Sequence, residues 1–151
     1  MRPLAQVGDV ALESDEEQRL WRLRSPAYAL TFGIVGRGQV ALLSWQNPFT
    51  QTQWLKAPVP LFGFATTLNG VPAISLQPSN DAGAFALEKV GHETGAKQLT
   101  MRFQLRHERS GVVAVVSLRA LDGVPALETG FTLQNEGNEA VTISGLCPFC
   151  S

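Results

Sequence analysis

The chain has little cysteine and little charge. Two cysteines in 151 residues exclude a disulfide-dense scaffold. Charged residues make up 17%, below the usual share of about a quarter. Lys and Arg number 12, Asp and Glu 13, and the net charge is −1. Neither half carries the basic excess that nucleic-acid or anionic-membrane binding requires. No apolar run reaches the ~18–20 residues that span a bilayer. Residues 1–15 lack the charged-then-apolar pattern of a secretory leader, and none of the five asparagines begins an Asn-x-Ser/Thr acceptor. These absences predict a cytoplasmic protein with no nucleic-acid and no membrane partner. The Gly-x-Ser-x-Gly elbow, the P-loop and the dinucleotide glycine fingerprint are missing too. No cofactor is expected.

What is present is a period of two. Over 98–106, Leu99, Met101, Phe103 and Leu105 alternate with Thr100, Arg102, Gln104 and Arg106. That pattern describes an antiparallel strand with one dry and one wet face. Residues 107–111 form a polar turn. Residues 112–121 are rich in valine and apolar on both faces at first, so they belong inside a sheet. The Asp122-Gly123 pair favours a tight turn. Over 126–134, Leu127, Thr129, Phe131 and Leu133 share one side, which puts Phe131 in the core. A turn at 135–138 and a strand at 140–146 complete a predicted meander of four strands, spaced as in β-sandwiches.

The first half reads similarly. Strands are predicted over 28–34, 39–45, 61–68 and 83–92, with a more ambiguous one near 18–24. Ser14-Asp15-Glu16-Glu17 satisfies the capping-box spacing of a helix. A polar hairpin turn is the favoured reading, because so short a helix is marginal. The expectation is one all-β domain over 1–151, an antiparallel β-sandwich, with 1–17 a less regular N-terminal segment.

Four features could carry chemistry. Cys147-Pro148-Phe149-Cys150 has the spacing of a redox dithiol or half a zinc site. A redox pair opens a helix, whereas this one follows a predicted strand with only Ser151 after it. Zinc would need two more ligands, and only His92 and His107 exist. Cys147 and Cys150 are therefore read as incidental, with zinc and redox as weak alternatives and no metal expected. His92-Glu93 and His107-Glu108 read as solvated turn residues, since neighbours in a strand point to opposite faces. Asp81, Glu88, Glu108 and Glu128 are expected to be exposed, and nothing pairs two of them for glycoside hydrolysis. No catalytic residue is assigned.

The aromatic loop is the best binding candidate. Trp45, Asn47, Phe49, Gln53 and Trp54 combine flat apolar faces with amides that donate and accept, which suits the C–H face and the hydroxyls of a sugar. Pro48 would stiffen the loop. The competing reading places Trp45 at a strand end inside the core and Trp54 beneath the loop. An interface use of the same aromatics, against another domain, is fully compatible with the sequence.

Ser110-Gly111, Pro125, Phe131 to Leu133, and Asn135 with Gly137 form a series of strand and turn signatures. Pro60-Leu61-Phe62 and Asn69-Gly70 precede it. Over residues 25–146 this series resembles the N-terminal β-sandwich of the glycoside hydrolase family 36 α-galactosidases. The resemblance implies a supersandwich related to the galactose-mutarotase-like fold. It is either a truncated copy or a smaller relative, because the family's sandwich is longer. It further implies a non-catalytic module whose partners are a catalytic (β/α)8 barrel domain or sister subunits, with a galactoside as the ligand. The family's two catalytic aspartates lie in the barrel, so none carries over. The rival expectations are a stand-alone carbohydrate-binding module using Trp45, Phe49 and Trp54, and an Ig-like interaction domain.

Overall fold

The computed structural model describes residues 1–68, 85–108 and 110–148, with 62–68 and 142–148 described by backbone alone. Twelve strands run β1 (Arg2–Val7), β2 (Val10–Asp15), β3 (Leu20–Arg24), β4 (Ala29–Val35), β5 (Gln39–Gln46), β6 (Val59–Pro60), β7 (Phe62–Leu68), β8 (Phe85–Thr94), β9 (Gln98–His107), β10 (Val112–Leu121), β11 (Leu127–Asn135) and β12 (Val141–Pro148). No helix occurs among the described residues. All pairings are antiparallel. They build a six-stranded sheet in the order β1 to β6, a four-stranded sheet β11-β10-β9-β8 and a two-stranded ribbon β12-β7. The protein is an all-β antiparallel sandwich.

Its core lies between the six- and four-stranded sheets. Leu99, Met101, Phe103 and Leu105 of β9 are all buried, as their alternation predicts. Opposite them lie Val10, Leu12, Leu23, Leu30, Phe32 and Leu42 of the larger sheet. Each such side chain contributes roughly 1.5–3 kcal/mol by leaving water. Phe103 marks the seam: its ring meets Phe32 at 5.3 Å and Trp21 edge-on at 5.7 Å. The outer faces are wet and laced with ion pairs. Glu13 faces Arg22 and Arg24 on one sheet. Arg102–Glu93, Arg106–Glu88 and Arg119–Glu128 decorate the other.

Three expectations need correction and one is met. Residues 1–17 are not irregular: β1 and β2 form a hairpin around Gly8, whose φ of 57° suits glycine, and β2 turns Val10, Leu12 and Ser14 inward. The capping-box segment is the hairpin turn expected of it, closed by the Gln18 amide donating to Asp15 Oδ1. The four-strand meander stops at three, because β12 pairs with β7 instead of β11. Phe131 is only half-buried, since β11 is the outermost strand of its sheet in the described order.

The chain changes direction after β11 at a clasp of two turns. Gly111 has φ 71°, and a Cβ there would lie 2.9 Å from the Gly137 backbone. Glu136 N donates to Gly111 O, Gly137 N to Asn135 Oδ1, and Asn135 Nδ2 to Glu139 O. On the other turn His107 Nδ1 and Ser110 Oγ lie 2.7 Å apart, and Ser110 Oγ accepts from Val112 N. Ser110-Gly111 and Asn135-x-Gly137 are thus one structural unit in space. A second clasp joins the two sheets: Asp9 N donates to Asp122 Oδ1, and Gly123 N donates to Asp9 Oδ1.

Candidate functional site

The aromatic loop leaves β5 and is built by its own side chains. Asn47 Oδ1 accepts from Phe49 N and Thr50 N, while Asn47 O accepts from Gln51 N. This is a tight turn in which Pro48 supplies a fixed φ without withholding a needed donor. Gln51 sits at φ 57°, an unusual backbone for a side-chain-bearing residue, and its Nε2 donates to Pro48 O at 2.7 Å. Gln53 closes the base. Its Oε1 accepts from Trp45 N at 2.9 Å, and its Nε2 donates to Ser44 Oγ at 2.9 Å. Trp54 N donates to Trp45 O.

Asn47 and Gln53 were expected to face ligand hydroxyls. The structure engages both in bracing the loop instead. What the loop presents is aromatic. Trp45 is 43% exposed, Phe49 82% and Trp54 48%, three of the five large apolar side chains exposed among the described residues. Trp45 and Trp54 pack edge to face, centroids 5.6 Å apart at 87°, which fixes both rings.

The expectation of a core Trp45 is right about the face and wrong about the cover. Trp45 pairs across the ladder with Leu30, and Leu30 is a core residue. The two sheets leave a gap there. A cavity of about 520 Å³, partly open to solvent, separates Leu30, Leu42 and Trp45 from Pro125, Leu127 and Thr129 at the start of β11. Tyr28, Leu55 and Val59 complete its described wall. No signal in the linear sequence marks this cavity, because its walls come from segments some 80 residues apart. Burial holds the Tyr28 phenol above its ordinary value; the neighbouring Ser25 hydroxyl pulls it back, and the Asp9 carboxylate pushes it further up.

Among the described residues, the other candidates do not gather into a catalytic centre. His92 is exposed within β8, opposite Met101, and not at a turn. His107 is buried, against expectation, because it closes β9 beside Ser110 and stacks near Phe85 at 5.1 Å. Glu88 accepts from Arg106 and Gln104 on the wet sheet face. The Arg106 guanidinium, and then the Gln104 amide, hold its carboxyl below the usual glutamate range. Glu128 pairs with Arg119 and Glu108 is exposed. Among the described residues, no three His, Cys, Asp or Glu side chains gather where a metal could sit. Cys147 stands in β12 opposite Gly63; its side chain, Cys150 and Asp81 lie outside the described residues, as does Asn69-Gly70. No helix among the described residues is long and apolar enough to cross a membrane. Searches with the whole chain find no matching family model and no matching curated protein.

Proposed function

We propose that this chain is a non-catalytic β-sandwich module of an α-galactosidase-like glycoside hydrolase, of the supersandwich, galactose-mutarotase-like kind. It packs on a catalytic (β/α)8 barrel domain or on sister subunits and shapes one wall of the cleft that receives a galactoside. The same reading places it in the cytoplasm and in carbohydrate metabolism. The observation that carries it is the division of the surface. Both outer sheet faces bear ion pairs, while among the described residues the exposed aromatic area gathers on one braced loop. Rigid aromatics framed by near-neutral polar residues are what a docking surface needs. Fold analogy suggests the class of partner, and the exposed loop supports this as the place of contact.

The test mixes the chain with an α-galactosidase barrel produced without its own sandwich domain. Co-elution on size exclusion and faster hydrolysis of an aryl α-galactoside are expected, and both should be lost with Phe49→Ala. Separate elution with unchanged hydrolysis rejects the reading. One observation favours the second reading, a stand-alone carbohydrate-binding module. The edge-to-face Trp45–Trp54 pair beside Phe49 is a preformed stacking platform. A saturable tryptophan-fluorescence response to galactose, melibiose or raffinose alone, at up to tens of millimolar sugar, would select it.

A further inference from the structure

We propose that the cavity between the two sheets is a binding site for an uncharged, largely apolar small molecule carrying aryl or alkyl groups. The proposal is separate from the galactoside reading and uses the cavity instead of the exposed loop, the two sharing only Trp45. Three observations carry it. The volume of about 520 Å³ lies within the roughly 300–1,000 Å³ of small-molecule sites. The walls are preformed: Leu30 and Leu42 belong to the packed core, and Leu127 is held in ladder register by β10. The described wall residues include no charged side chain, and Tyr28 and Thr129 alone bring side-chain hydroxyls.

That chemistry selects its ligand. A sugar would lose hydrogen bonds to water for each hydroxyl it buried against leucine and proline, and an ionised group would lose more. An aryl or alkyl group loses none and gains contact with both sheets. Trp45 serves both surfaces: one side of the residue helps wall the cavity and its ring packs on Trp54. A ligand in the cavity therefore reports through tryptophan emission.

The probe is N-phenyl-1-naphthylamine, which is uncharged and brightens in apolar surroundings. Titrated into the full chain, it should bind saturably at one per chain. The anionic 8-anilinonaphthalene-1-sulfonate should bind about ten-fold more weakly or worse. Leu127→Trp and Val59→Trp fill the cavity from opposite sheets, and each should weaken the neutral probe about ten-fold or more. Circular dichroism identifies which filling variant keeps the fold, and the comparison of two probes on the wild-type chain needs no variant. Phe49→Ala, which alters the aromatic loop alone, should leave binding unchanged. Equal affinity for the two probes, non-saturable emission, or indifference to a folded filling variant overturns the proposal.

Discussion

Replacing Phe103 by alanine tests where the core lies. Phe103 is fully buried in β9, between Phe32 of β4 and Trp21 of β3. It is the ring through which the smaller sheet grips two strands of the larger one. Truncating a buried phenylalanine costs about 3–5 kcal/mol, part transfer and part cavity. Two aromatic contacts of about 0.5–1.5 kcal/mol each disappear with it, which places the loss at the upper end of that range. Phe131, half-buried on β11, should lose only about 1–2.5 kcal/mol on the same change, because less of its area leaves water. Urea denaturation followed by far-UV circular dichroism measures both. For a chain of this size, about 4–5 kcal/mol also lowers the melting temperature by roughly 8–20 °C. A Phe103→Ala loss below about 1.5 kcal/mol, or a Phe131→Ala loss equal to it, would show that the seam has been placed on the wrong residues.

Other perturbations test other joints. Gly111→Ala forces a side chain into φ 71° and against Gly137, and should cost about 2–3 kcal/mol by denaturant titration; a neutral effect refutes the turn clasp. Asp122→Ala removes the acceptor for Asp9 N and should cost about 0.5–1.5 kcal/mol, with Asp9→Ala adding little more if the clasp is one unit. The Glu88 carboxyl is held below its ordinary range by Arg106, then Gln104. Its folded value is depressed, so its contribution is present above the unfolded value and fades as pH falls through the folded one. Stability measured from pH 7 to pH 3 should fall less steeply in Glu88→Gln than in the wild type, and parallel curves would reject the pairing. The Tyr28 phenol is raised by burial, so its contribution is complete below the unfolded value of about 10 and is lost as pH rises beyond it. Tyr28→Phe should flatten the alkaline limb of the stability curve.

The parts legible in sequence are those governed by local alternation. Leu99, Met101, Phe103 and Leu105 announce β9 because every second side chain is apolar, and the valines of β10 announce an inner strand. Pairing beyond the nearest neighbour is not local. The polar turn after β11 looks like any hairpin, and it is the β12–β7 ladder that shows the chain leaving for another sheet. The candidate loop shows the same division. Its aromatics are visible by type, but whether Asn47 and Gln53 serve a ligand or the backbone depends on which amides come within reach after folding. His107 misleads in the other direction. Its polar neighbours suggest solvent, while its ring lies under Phe85, which is 22 residues away in sequence.

The Asp9–Asp122 clasp ties the first hairpin to a turn more than a hundred residues later. Within the six- and four-stranded sheets, by contrast, consecutive strands pair with each other in chain order. During synthesis the six-stranded sheet can therefore complete its hydrogen bonding first, with Leu12, Leu23 and Phe32 facing water until β9 emerges to cover them. Between the completion of β6 at Pro60 and the emergence of β9 at Gln98–His107 the nascent chain carries an uncovered greasy surface. Its yield in a cell then depends on how fast the ribosome delivers the second sheet and on the holdase capacity available in the meantime.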